Sequence, residues 1–489
     1  VSSHRYLACD LGAESGRVIL GKLAEGRIET EEIHRFPNLP VKIDGTLRWD
    51  VLRIFEELKT GLRKVAARKV PLASLSVDSW GVDYVLLGAG QPMLSLPHHY
   101  RDPRSDGAYA AALKSPGVET IFAETGIQFM PFNTLYQFLA ERELSPGLLA
   151  ITEQFLTIAD YLLYLFSGEA KIEESLASTT QCYNPHTRQW SARLLEIFDL
   201  PARIFPPIIP SGTRLGPLLP EILQETGLGE TEVVASCSHD TAAAVAAVPA
   251  VGEDWAYLSS GTWSLLGVEL SAPLINDASR AYNFTNEAGF GGTTRFLKNI
   301  AGLWLLQEAR RAWTRQGHDF NYSTLATQAE HSPPFRSLIR PTDSRFARPN
   351  DMPEKIAAYC AETQQPVPEN PGQFTRCIYE SLALLYRQTL EEIEEVTGRR
   401  IARLHIVGGG SQSALLNQFA ASATNRSVLA GPVEATALGN LLVQAVALGH
   451  LSSLAELRGI VRASSPITEY QPQDRADWQR ACERFARLP

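Results

Sequence analysis

Apolar residues 6–9 give way to Asp10, then to a polar segment holding Gly12, Glu14 and Gly16, then to a second apolar run over 18–20. Two β-prone runs joined by a glycine-containing polar segment predict a β-hairpin. Residues 28–36 continue as a third strand. Leu52, Phe55, Leu58, Leu62 and Val65 then recur three and four apart, which predicts an amphipathic helix ending near Pro71. Leu75-Ser76-Val77 predicts a buried strand that runs out over Asp78-Ser79-Trp80-Gly81-Val82-Asp83, and residues 84–87 resume strand character. Strand, strand, strand, helix, strand is the order of an α/β layer with an antiparallel edge.

Residues 98–200 read as mostly helical, with Asn133 capping a helix over 134–143 and a second helix over 159–166. Five prolines between 206 and 220 predict a loop or linker. A strand over 232–236 enters Cys237-Ser238-His239-Asp240, and the small residues 241–248 follow as a helix. A second cycle opens at Trp255: strand 256–259, the turn Ser260-Gly261-Thr262, and strand 263–270. A helix over 298–313, an irregular stretch over 332–353 and a long helix over 374–396 come next. Residues 403–407 form a strand ending in Gly408-Gly409-Gly410, followed by helices over 413–423 and 435–448, the last rich in Ala and Gly and so expected to pack closely. Two α/β halves, each opened by a hairpin with a glycine turn, suggest a duplicated fold with a ligand cleft between the halves.

A length of 489 residues suits two domains, and 44% hydrophobic with 20% charged residues is ordinary globular composition. A net charge of −9 argues against a nucleic-acid groove. No apolar run approaches the roughly 18 residues of a membrane helix. The chain enters a strand without a basic and apolar leader, so no signal peptide is expected and a cytoplasmic location is. None of the six cysteines forms a C-x-x-C or stands at metal-ligand spacing from a histidine, which speaks against zinc and for a reducing compartment. Cys360 and Cys377 flank a Pro-rich loop and read as packing thiols.

Four strand ends carry candidate chemistry. At the first, Asp10 can hold a metal ion or its water above phosphates, while Ser15 and Arg17 offer a hydroxyl and a fixed charge to phosphate oxygens. At the second, the Gly261-Thr262 turn offers backbone N–H groups and a hydroxyl. The third, Gly408-Gly409-Gly410, permits close backbone contact with a base or sugar. The fourth, Ser238-His239-Asp240-Thr241, sets an acid at a helix entry, where it can act as a general base. Each has a plainer reading as turn geometry or helix capping; four together favour a nucleotide site. No G-x-x-x-x-G-K-[ST], G-x-G-x-x-G after the first strand, or G-x-S-x-G occurs, which disfavours a Walker NTPase, a dinucleotide site and a hydrolase elbow.

These residues resemble the FGGY family of carbohydrate kinases, within the actin, hexokinase and chaperone-ATPase superfamily. The likeness runs nearly the whole length and rests on Asp10-Leu11-Gly12-Ala13, Asp78 to Asp83, residues 126–137, Ser238 to Thr241, residues 258–264, Lys298-Asn299-Ile300 and residues 404–410. It implies two ribonuclease-H-like (actin-like ATPase) α/β domains with a deep interdomain cleft. Residues 1–248 would bind sugar and phosphate and carry the base. Residues 249–489 would bind the nucleotide, with room for the final helices to pack back on the first domain. The resemblance further implies ATP phosphates on Ala13, Glu14, Ser15, Gly16 and Arg17, magnesium by Asp10 through water, and the rest of the nucleotide on Thr262, Gln307 and Gly409. A ketose would sit on Gly81, His239, Asp240, Thr241 and Asn299, with Asp240 taking the proton of its terminal hydroxyl. Glu14 departs from the pattern, and a carboxylate beside triphosphate should point to solvent. The activity so implied is ATP-dependent phosphorylation of L-rhamnulose at O1, in a monomer or weak dimer, with fuculose, xylulose or a polyol as alternative substrates. A non-enzymatic nucleotide switch is the rival of another class.

Overall fold

The computed structural model describes residues 3–489. The chain gathers into two compact units. The first takes the chain up to Pro249 together with Glu269–Phe296 and Ala435–Ser464; the second takes Ala250–Val268, Leu297–Glu434 and Ser465–Pro489. The first unit thus includes, beyond residue 249, both Glu269–Phe296 and the late helices of Ala435–Ser464.

In the first unit six strands lie in the order Thr213–Pro217, Glu232–Ala235, Ser74–Asp78, His4–Leu11, Ser15–Ala24, Arg27–Pro37. The hairpin pairs Asp10 with Arg17, and the parallel neighbour pairs Asp10 with Asp78. Thr213–Pro217 comes from the proline-rich stretch read as a linker. It is an antiparallel edge strand, the one sheet position that tolerates proline, and Pro217 is its last residue. Tyr84–Leu87 leaves this sheet and pairs with Gln154–Thr157.

Helix Val51–Ala66 buries Leu58, Leu62 and Val65 as expected and half-buries Phe55, but in its first turn Val51 and Ile54 face the core while Leu52 is 55% exposed. Asn133 does precede helix Thr134–Leu144, but its amide donates to the Gln128 carbonyl and to Gln181 rather than capping the helix. Helix Ala435–Ala447 packs on Asp240–Ala246 so closely that a Cβ on Gly439 would lie 1.8 Å from the Ala243 carbonyl oxygen.

In the second unit Trp263–Leu270, Trp255–Ser260, Arg403–Val407, Ser427–Ala430 and Thr468–Tyr470 are hydrogen-bonded in that order, the middle three parallel. Helix Pro371–Thr397, capped by the Asn370 side chain, packs against Ala414–Thr424. The helix expected from residue 298 starts later: Lys298 and Asn299 belong to strand Thr294–Ala301, and the helix is Trp304–Arg315. Gly302 separates them because a Cβ there would stand 2.6 Å from the Trp263 backbone. Cys360 and Cys377 are both free and buried. Among the described residues no helix is long and apolar enough to cross a membrane.

Candidate active site

In the first unit, adjacent parallel strands deliver their carboxyl ends to one place. Asp10 and Asp78 end neighbouring strands in register. The third strand continues to Asp240, held there by backbone bonds from Ser79 N to the Ser238 carbonyl and from Asp240 N to the Ser79 carbonyl, both 2.9 Å. The carboxyl ends of open α/β sheets are where ligands bind. The three carboxylates feel one another. Burial, and after it Asp10, raises Asp78 well above the usual carboxylate range. Burial pushes Asp240 up to about 7, with Asp10 adding to the rise. Its side chain keeps 31% of its accessible surface.

Thr241 donates its N–H and hydroxyl to Asp240 Oδ1, so it steadies that carboxylate in this structure. His239 lies with Nε2 3.4 Å from Asp240 Oδ1, and burial, then the nearby Arg295, lowers it well below an ordinary imidazole. Gly81 faces Thr179, whose Oγ1 would be 2.8 Å from an added Cβ.

The hairpin turn is strapped by Asn38, whose amide donates to the Gly12 carbonyl at 2.9 Å and whose N–H donates to the Glu14 carbonyl at 3.0 Å. Glu14 is exposed, as its charge requires. Arg17 ion-pairs Asp10 here. Gly16 is a packing glycine, since a Cβ would come within 2.2 Å of the Phe36 ring. Ala13 and Ser15 are half-buried in the same turn.

In the second unit, strands Trp255–Ser260 and Arg403–Val407 pair in parallel up to Ser259 and Val407, so the Gly261-Thr262 turn and the glycine run leave the sheet at the same end. Trp304 N donates to the Thr262 carbonyl at 3.1 Å, which ties that turn to the helix bearing Gln307. Gln307 Oε1 is buried without a hydrogen-bond partner, so its acceptor capacity is unused in this structure. The three glycines serve different ends. Gly408 has φ +81°; Gly410 would bring a Cβ within 2.0 Å of Ser260 Oγ; Gly409 is exposed, with open space where a Cβ would be. Asn299, half-buried, lies on this unit's part of strand Thr294–Ala301, not at a helix start.

The first unit therefore gathers Asp10, Asp240, His239 and Thr241, and the second gathers Thr262, Gln307 and Gly409. Sequence reading missed two residues. Asp83 is buried and accepts from Trp49 Nε1 at 2.6 Å, Trp80 Nε1 at 3.0 Å, Tyr100 N at 3.1 Å and Gln137 Nε2 at 3.0 Å, which pins the turn carrying Gly81. Its place in the Asp78–Asp83 run was the available signal. Arg295, fully buried beside His239, carries no local signal at all.

Carboxylate oxygens are the donor chemistry magnesium uses, and Asp78 Oδ1 is buried without a hydrogen-bond partner. Among the described residues no three His, Cys, Asp or Glu side chains form a metal cluster. Magnesium commonly takes one or two carboxylates and completes its shell with water and substrate phosphates, so the Asp10–Asp78 pair fits such an ion.

Models of the FGGY family of carbohydrate kinases match this chain twice, the N-terminal domain over residues 5–247 and the C-terminal domain over 256–448. A rhamnulokinase of Bacteroides thetaiotaomicron is 45% identical over 480 residues, covering 98% of each chain. A rhamnulokinase of Bacillus subtilis is 40% identical over 470 residues, covering 96% of each. Among solved structures, gluconate kinase from Lactobacillus acidophilus aligns with a TM-score of 0.82 at 15% identity, over 99% of this chain and 97% of that one. Plasmodium falciparum glycerol kinase with ADP aligns with 0.79 at 14%, over 99% and 98%. At such identities the structural likeness speaks for the fold alone: a two-domain α/β architecture of the actin-like ATPase kind.

Proposed function

The chain belongs to the FGGY family of carbohydrate kinases, ATP-dependent phosphotransferases to alcohol groups, and from that membership we propose that it converts L-rhamnulose to L-rhamnulose 1-phosphate and ADP. The observation that carries the substrate is the end-to-end identity of 40–45% with relatives named rhamnulokinase.

Phosphoryl transfer asks the protein mainly for positioning and charge stabilisation. In this reading Asp240 accepts the proton of the O1 hydroxyl as that oxygen attacks the γ-phosphorus in line and ADP leaves. A base that titrates near 7 suits that task, and its accessible face is supporting evidence. Thr241 orients the carboxylate, while His239, Gly81 and Asn299 contact the sugar. Ala13, Glu14, Ser15, Gly16 and Arg17 form the phosphate turn. Thr262, Gln307 and Gly409 hold the rest of the nucleotide, a role the unpartnered Gln307 oxygen supports. Magnesium, held by Asp10 through water, supplies charge neutralisation at the phosphates when bound. Arg17, now on Asp10, can turn its guanidinium to a phosphate oxygen. An enzyme that spends ATP on a catabolic sugar works where ATP is, so we place it in the cytoplasm.

A coupled ADP-release assay across ketoses and polyols tests the reading. L-rhamnulose should show the highest kcat/KM. A higher value for fuculose, xylulose or a polyol would reassign the substrate, and ATP turnover indifferent to every sugar would reassign the class.

A further inference from the structure

His239 is enclosed by groups that leave its proton little choice. Nδ1 faces Arg295 Nη2 at 3.1 Å and Glu287 Oε2 at 3.5 Å; Nε2 faces Asp240 Oδ1 at 3.4 Å; the backbone N–H donates to Ser175 Oγ at 3.0 Å. A guanidinium has five donors and no acceptor, so a proton on Nδ1 would confront an N–H of Arg295. Glu287 is the more distant neighbour and is ion-paired with Arg295, its Oε2 3.0 Å from Nη1 without a hydrogen bond between them. Arg295 is itself fixed, fully buried with Nε donating to the Ala288 carbonyl at 3.0 Å.

We infer that Arg295 is a positioning residue: donation from its Nη2 to Nδ1 holds His239 as the Nε2–H tautomer, so that the imidazole turns a hydrogen-bond donor toward Asp240. Burying an arginine and a glutamate is costly, and an apolar pair of the same volume would be cheaper, so the pair is explained by what it imposes on its neighbour. The consequence rests on the kinase reading. Both faces of the histidine are spoken for, so it can steady the Asp240 carboxylate or donate to a ketose oxygen but cannot take the hydroxyl proton. Of the two, Asp240 is left to accept it. Burial and the Arg295 charge keep the ring neutral, which removes a competing cation from beside the base.

The test is nitrogen NMR of the histidine rings in the full-length protein without substrates, with His239 assigned by its disappearance in His239→Gln. The expected spectrum has His239 protonated at Nε2, bare at Nδ1, and unchanged between about pH 5 and 8. A proton on Nδ1 overturns the inference. The double variant Arg295→Met, Glu287→Gln leaves no lone buried charge. It should lose the single tautomer, raise KM for L-rhamnulose about tenfold and add to the kcat/KM pH profile an ionisation near the ordinary imidazole value of about 6.5. Arg295→Lys, which keeps a cationic donor, should recover the Nε2–H signal. A double variant with wild-type tautomer, KM and pH profile overturns the inference as well. If the wild type shows the Nε2–H tautomer yet phosphorylates no ketose, the kinase reading falls and the tautomer assignment stands.

Discussion

The two units share a local plan and differ in charge. Each opens with an antiparallel hairpin whose first strand has a parallel neighbour, and each offers the carboxyl ends of those strands to a ligand. In the first unit the paired positions are Asp10 and Asp78, with Asp240 on the next strand's continuation. In the second the pair is Ser259 and Val407, followed by Thr262 and three glycines. Placing carboxylates together in a buried place raises their proton affinity, as Asp78 and Asp240 show. Placing glycine and hydroxyl there costs little and leaves a neutral surface. Under the proposed function, one topology would serve proton and cation chemistry in one unit and uncharged polar contact in the other.

The sharpest way to break that contrast is to remove the base. Asp240→Asn should lower kcat roughly 100-fold or more while ATP still binds; a near-normal kcat in the coupled assay would take Asp240 out of the mechanism. The wild-type rate should rise with pH through about 7 as the carboxylate forms. Stability should move the other way. Between 3.8, the unperturbed value, and about 7 the folded protein keeps a proton at Asp240 that the unfolded chain has lost. The stabilisation linked to that proton is full below the lower value and is lost as pH rises toward the upper one. The Tm difference between variant and wild type should therefore grow in the variant's favour over that range. A constant difference would contradict a raised Asp240.

Asp10→Ala should come next, with Mg·ATP use weakened by roughly tenfold or more and sugar binding little changed. Titration of magnesium against rate is the check, and an unaltered magnesium dependence would remove Asp10 from the metal. Asn299→Leu, in the second unit, should raise KM for L-rhamnulose by an amount equivalent to about 1–3 kcal/mol and narrow the gap to its stereoisomers, because the amide no longer goes unpaired with the wrong sugar. Wild-type KM and ranking of ketoses would leave Asn299 a strand residue only. The smallest effects should come from the glycine run. Gly410→Ala must displace Ser260 and should lower stability by about 1–3 kcal/mol, whereas Gly409→Ala should leave Tm unchanged and raise KM for ATP. The reverse pattern would mean that Gly409, not Gly410, is the packing glycine.

What the sequence alone determined was local. The hairpins, the strand at Arg403–Val407 and the glycine turns follow from alternation and turn chemistry, which act over a few residues. The carboxylate at a helix entry was visible for the same reason. Periodicity faltered where a short run suited either state, so Lys298 and Asn299 read as helix until the close approach of Gly302 to Trp263 decided otherwise. It also faltered where prolines hid an edge strand at Thr213–Pro217. Only tertiary structure told a packing glycine such as Gly16 or Gly410 from an open one such as Gly409, because the difference lies in Phe36 and Ser260, residues far along the chain. It alone returned Glu269–Phe296 to the first unit and with it set Arg295 on His239, 56 residues away in sequence. A proton's position depends on which atoms face it, and long-range folding is what chooses them.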